Sequence, residues 1–166
     1  MIYHVNVYNE VIRLSKFLGA IVIFFLSAFV SMPSFAAATD NVKQNIISQA
    51  KAMGVEPAIV LSIAKTESGF NQAARGAGGH VGVFQLSHAT AKHMGIDPYN
   101  LDDNIKGGIT YYKKMYERFG SMELAVAAYN AGPEAIRRNN NVVPKHTRPF
   151  VSKIMNDYKY YKNTGI

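Results

Sequence analysis

The sequence predicts a mostly α-helical domain that carries one glycine-rich loop or short hairpin insertion. Apolar residues recur at helical spacing along most of the chain. Ser, Asp and Gly residues punctuate those runs where helix caps belong. No stretch keeps the alternation of a half-buried strand.

The elements follow in order. Asp40 is expected to cap a first helix with Val42, Ile46, Ala50 and Met53 inward, ended by Gly54. Pro57 suits the first turn of a second, strongly apolar helix, Ala58-Ile59-Val60-Leu61-Ser62-Ile63-Ala64. Glycines 69, 76, 78, 79 and 82 then mark the loop or hairpin. Ser87 reads as the N-cap of a helix from His88 to Met94, with Gly95 after it. Asp102 is expected to cap a longer helix with Ile105, Ile109, Tyr112, Tyr116 and Phe119 at helical spacing, stopped by Gly120. Ser121 caps Met122 to Ala131, and Gly132-Pro133 breaks that helix. Asn139-Asn140-Asn141 reads as a polar loop. Thr147 and Pro149 open a last helix with Phe150, Val151, Ile154 and Tyr158 inward.

The first part of the chain reads differently. Arg13 and Lys16 precede an uncharged, mostly apolar run at 17–30, and small residues follow through Ala36-Ala37-Ala38. Basic, apolar and small in that order is a secretory signal. The expectation is a signal over 1–38, cleaved near 36–38, and a domain over 39–166 in the periplasm. The apolar run is shorter than the ~20 residues a spanning helix needs. An uncleaved inner-membrane anchor is the alternative.

Residues 39–166 hold sixteen Lys or Arg against ten Asp or Glu, so an anionic partner is expected. For an exported chain that partner is the cell wall or a membrane surface, and no nucleic acid is expected. The chain has no cysteine, which excludes disulfides, thiol catalysis and cysteine-ligated metals. His88 and His93 are five apart, the wrong spacing for a helical metal pair, so neither metal nor cofactor is expected. Tyr111, Tyr112 and Tyr116 fit either a sugar-stacking surface or a helix core face, with core favoured for Tyr112 and Tyr116. Lys113-Lys114 and Arg137-Arg138 read as solvated charge.

Glu67 is the residue that points to chemistry. It is the only Asp or Glu between Pro57 and Ile96, and it closes the apolar helix. Apolar neighbours and the negative end of a helix both disfavour a carboxylate, so its pKa is expected to rise. A carboxyl still protonated near neutral pH is what a general acid needs.

Three segments carry a resemblance. They are Glu67-Ser68-Gly69-Phe70-Asn71, then Gly82-Val83-Phe84-Gln85 followed by Thr90-Ala91, then Ala127-Ala128-Tyr129-Asn130-Ala131-Gly132. In order and spacing they resemble the Glu-Ser, Gly-Leu-Met-Gln and Ala-Tyr-Asn motifs of the soluble lytic transglycosylase catalytic domain. These are lysozyme-like enzymes that cut peptidoglycan, and the likeness runs from about residue 56 to 158. The resemblance implies a lysozyme-like helical fold with Glu67 as the single catalytic acid/base. It implies substrate binding by Ser68, Gly82, Phe84, Gln85, Tyr129 and Asn130. Tyr129 would place its hydroxyl on the carboxyl or the substrate, and Asn130 would hold that corner. Peptidoglycan strands are the implied partner of a monomer, alongside components of a secretion, conjugation or pilus machine that needs a local gap in the wall.

Three departures from the family pattern stand out. Val83-Phe84 replace Leu-Met, and His88 replaces a common proline. Gly76 replaces a frequent serine whose hydroxyl meets the acetamido region of the substrate, so a neighbour or water must substitute, or activity is reduced.

An ordinary glycosidase flanks the scissile bond with two carboxyls. Asp97, Asp102, Asp103, Glu117, Glu123 and Glu134 could reach Glu67 only through folding. One carboxyl is enough if the muramic sugar supplies its acetamido group and its own C6 hydroxyl, which yields a 1,6-anhydro end. A hydrolytic muramidase is the rival in the same chemistry. A wall-binding assembly protein that has lost catalysis is the rival in another class.

Overall fold

Helix α2, Pro57–Ser68, is the centre of the molecule because it is apolar on every face. Ala58 through Ala64 are all buried, and a helix of that kind needs neighbours all round. The computed structural model describes residues 35–165. The expected export signal over 1–38 lies outside them as far as residue 34, as does the apolar run of its anchor alternative; the expected cleavage region at 36–38 falls within the first described helix. Among the described residues no helix is long and apolar enough to cross a membrane.

Helix α1, Phe35–Ala52, sends Ile46 and Ala50 into the core, and Gly54 turns the chain at φ +66°. It begins before Asp40, so Asp40 is not its cap. Instead Asp40 pairs with Lys43 one turn later, at 3.0 Å. Pro57 opens α2 as expected. A two-stranded antiparallel hairpin follows: β1, Arg75–Gly76, faces β2, His80–Val81. The glycine-rich insertion is therefore a hairpin, and a further bridge from Val81 to Leu86 closes the turn behind it.

Helix α3, His88–Met94, is capped by the Ser87 hydroxyl, which accepts from the Thr90 N–H. Helix α4, Leu101–Phe119, is capped two residues before the expected position. Asn100 holds that place, accepting from the Asp103 N–H, and Asp102 turns outward to accept from Asn45 at 2.6 Å. Along α4, Ile105, Ile109 and Tyr112 are buried, but Tyr116 is 46% exposed. Tyr116 only stacks on Tyr112, so its core assignment is corrected.

Helix α5, Met122–Ala131, is capped by Ser121. Gly132-Pro133 ends it and at once starts a short helix not foreseen, α6, Pro133–Arg138. The same Pro that cannot continue one helix is well placed at the first turn of the next. A 3₁₀ turn, Lys145–Thr147, leads into α7, Arg148–Asn163, which buries Val151, Ile154 and Tyr161. Tyr158 is half-buried and donates to Glu56 at 3.2 Å.

Helix α2 packs chiefly on α7, and α4 on α5. Ile59, Leu61, Ile63, Ile105, Ile109, Ile136 and Ile154 are all at most 1% exposed. Each such side chain stabilises the fold by roughly 1.5–3 kcal/mol. The consequence for the site is positional: the last turn of the central helix emerges where α5 and the hairpin meet.

Candidate active site

Glu67 sits in that last turn. The chain leaves it sharply, because Gly69 and Phe70 both adopt left-handed backbone, at φ +63° and +68°. Glycine does so freely, whereas a phenylalanine is strained there. Burial of the Phe70 ring and the Lys43 ammonium 5.4 Å from its centroid hold it. The Gly69 N–H bonds back to the carbonyls of Ala64 and Lys65.

A cleft of about 460 Å³ opens beside Glu67. Its walls include Gly76 and His80 of the hairpin, Gln85 of the following turn, Tyr111 of α4, and Tyr129 and Asn130 of α5. Among the described residues, Glu67 is the only Asp or Glu on that wall. The other acids are engaged or remote. Asp97 and Asp103 accept backbone N–H groups of Tyr99 and Asp97. Glu134 pairs with Arg118 and Arg137, and Glu117 and Glu123 are exposed.

Burial raises the Glu67 pKa from 4.5 to about 7. Desolvation is the cause. Burial also raises the Tyr129 hydroxyl well above its ordinary value, with the Glu67 carboxylate adding to the rise.

The turn at Gly82–Gln85 faces Glu67 and is pinned from all sides. The Ser68 hydroxyl donates to the Val83 carbonyl at 2.8 Å, and Gln72 Oε1 accepts from the Val83 N–H at 3.1 Å. Asn104 Oδ1 accepts from the Phe84 N–H at 2.9 Å. Asn104 Nδ2 donates to the carbonyls of Val81 and Pro98, both at 2.9 Å. The Tyr129 hydroxyl donates to the Phe84 carbonyl at 2.8 Å. The Phe84 ring is fully buried against Gly108, where even a Cβ would collide with it.

These contacts reassign several residues that the motifs suggested for substrate. Ser68, Gly82 and Phe84 do not line the cleft. Ser68 ties the end of α2 to the turn. Gly82, at φ +81°, leaves room for Asn104 and Gln72. Phe84 anchors the turn in the core. Tyr129 lines the cleft, but its hydroxyl is bound to Phe84 and not to the Glu67 carboxyl. Gln85 and Asn130 do line the cleft, and Asn130 is exposed there.

Sequence reasoning passed over Asn104, Gln72 and His80, and left Tyr111 open. Tyr111 meets Tyr129 edge-on, ring centroids 5.2 Å apart at 62°. One signal for the close approach of Phe84 to α4 was present in the chain. Gly107-Gly108 in the middle of a helix costs roughly 1 kcal/mol per glycine, so something must press close to that face.

The comparisons with known proteins follow from this geometry. A family model described as the Transglycosylase SLT domain matches residues 44–148. A transglycosylase of Enterobacteria phage PRD1 is 33% identical over 112 residues, covering 59% of this chain and 42% of that protein. The membrane-bound lytic murein transglycosylase F of Desulfosudis oleivorans is 27% identical over 127 residues, covering 67% of this chain and 28% of that protein. Among solved structures, an inactive mutant of lytic transglycosylase Slt from Pseudomonas aeruginosa superposes with a TM-score of 0.64 at 25% identity. That match covers 73% of this chain and 24% of the other. The chain thus spans less than half the length of each of these relatives.

Proposed function

The chain belongs to the transglycosylase SLT domain family, and from that premise we propose that it is a peptidoglycan lytic transglycosylase with Glu67 as its one acid/base. The observation that carries the reading is a half-buried carboxyl, raised by burial to about 7, on a cleft wall that offers no second Asp or Glu among the described residues.

Such a site works in two steps. Protonated Glu67 gives its proton to the glycosidic oxygen on the N-acetylglucosamine side, and the bond to C1 of the muramic sugar breaks. The acetamido group of that sugar stabilises the cation at C1. Glu67, now a carboxylate, takes the proton of the C6 hydroxyl as that oxygen attacks C1. A 1,6-anhydro end forms and no water is consumed. A single group with pKa close to the working pH serves as donor first and acceptor second. A conventional water-activating glycosidase places a second carboxyl across the glycan.

Residues 39–166 form the catalytic domain in this reading, and the compactness of the unit Ala38–Ile166 supports it. Export to the periplasm is supported by the order of basic, apolar and small residues through position 38. Local opening of the wall for a secretion, conjugation or pilus machine is the proposed task. Fractionation of cells expressing the full chain tests the location: activity in the cytoplasm alone contradicts it. Digestion of purified peptidoglycan by wild type and Glu67→Gln tests the chemistry. Wall release by the wild type and none by the variant is expected; equal release by both overturns the assignment of Glu67.

A further inference from the structure

Gly76 and Gln85 share one space. A Cβ built on Gly76 would collide with Oε1 of Gln85, and would press on the Cβ of His80 at 3.3 Å. Both Gly76 and Gln85 line the cleft beside Glu67. Gln85 stands in left-handed backbone at φ +45°, unusual for a residue with a side chain. Its Nε2 is committed to the hairpin, donating to the Gly82 carbonyl at 2.8 Å and the Ala74 carbonyl at 3.4 Å. That fixes which end of the carboxamide is free. No hydrogen bond to Oε1 occurs among the described residues, so the free end is an acceptor. A serine hydroxyl at residue 76 would both donate and accept, whereas an amide oxygen only accepts.

We propose that Gly76 is a positioning residue that acts through Gln85. Its missing side chain lets the Gln85 carboxamide lie across the hairpin and offer Oε1 to a hydrogen-bond donor on the bound glycan. This inference rests on the reading of the cleft as a glycan site. It also names the neighbour that takes the place of a hydroxyl at residue 76: Gln85, whose free end only accepts. Because Oε1 is the far end of a flexible side chain, a Cβ at residue 76 displaces the carboxamide and leaves the hairpin folded.

A double-mutant cycle decides it. KM and kcat on purified peptidoglycan are measured for wild type, Gly76→Ala, Gln85→Ala and the double variant. Loss of one neutral hydrogen bond predicts roughly a three- to tenfold rise in KM for each single variant, with kcat changed less. The double variant should be no worse than Gln85→Ala alone, because Gly76 then has nothing left to position. The same cycle is run on binding of an N-acetylglucosamine hexamer by calorimetry. Melting temperatures of all four proteins show that the fold is kept. Equal cost of Gly76→Ala with and without the Gln85 side chain overturns the proposal, and so does a Gly76→Ala variant with unchanged KM. Should the wild type fail to cut peptidoglycan, the enzymatic reading fails instead, and the hexamer cycle still decides the role of Gly76.

Discussion

Replacing Glu67 with glutamine should make the protein more stable, by an amount that grows from pH 4.5 upward and is complete above about pH 7. Glutamine is a neutral stand-in for the protonated acid. In the folded protein Glu67 holds its proton up to about pH 7, against 4.5 in an ordinary setting. At about 1.4 kcal/mol per tenfold in proton affinity, ionising it in place costs about 3 kcal/mol more than in the unfolded chain. The sign follows from proton counts. Between pH 4.5 and 7 the unfolded chain loses this proton while the folded one keeps it, so rising pH lowers stability across that window. Above pH 7 the full penalty is present. Glu67→Gln escapes it. At pH 4 the two proteins should melt together. At pH 8 the variant should melt higher, by on the order of 10 °C for a domain of this size. Thermal unfolding followed by far-ultraviolet circular dichroism at the two pH values measures the difference, and all other titrating groups cancel in it. A variant that melts with wild type at pH 8, or gains equally at pH 4, would refute the claim that burial holds this carboxyl protonated.

Two further outcomes follow from the same geometry. Since the first step needs the protonated acid, kcat/KM on peptidoglycan should fall as pH rises through about 7; a profile flat from pH 5 to 9 would contradict the role of Glu67. Asn104→Ala removes three hydrogen bonds, one from the Phe84 N–H of the turn and one each to the carbonyls of Val81 and Pro98; the Phe84 N–H is left without a partner, while Val81 keeps the Leu86 N–H and Pro98 keeps Gln72. A loss on the order of 3 kcal/mol is expected by denaturant titration, with turnover reduced because the turn facing Glu67 loosens; a loss below 1 kcal/mol would mean that Asn104 is not its anchor.

Much of the fold could be read from local chemistry. Ser87, Ser121, Gly95 and Gly120 fall where their cap roles require, because a cap is decided by its own few residues. Asp102 and Asp40 misled for the same reason: each has cap chemistry, but Asn100 and the earlier start of α1 took the cap positions first. The site was legible only in part. Glu67 stood out as an acid with no local reason to be there. The hydroxyls of Ser68 and Tyr129 could not be assigned from sequence, because their partners, the carbonyls of Val83 and Phe84, lie 15 and 45 residues away. Asn104, twenty residues from the N–H it accepts, was hidden likewise. Sequence named the chemical groups; folding decided which of them face the cleft and which hold its wall.

The central claim is that one carboxyl suffices because the sugar supplies its own nucleophile. Mass spectrometry of the soluble fragments released from purified peptidoglycan tests it. Fragments ending in 1,6-anhydro sugars, lighter by one water than hydrolysis products, are what a lone Glu67 predicts. Fragments ending in reducing sugars would mean that water attacks C1, and would contradict the account.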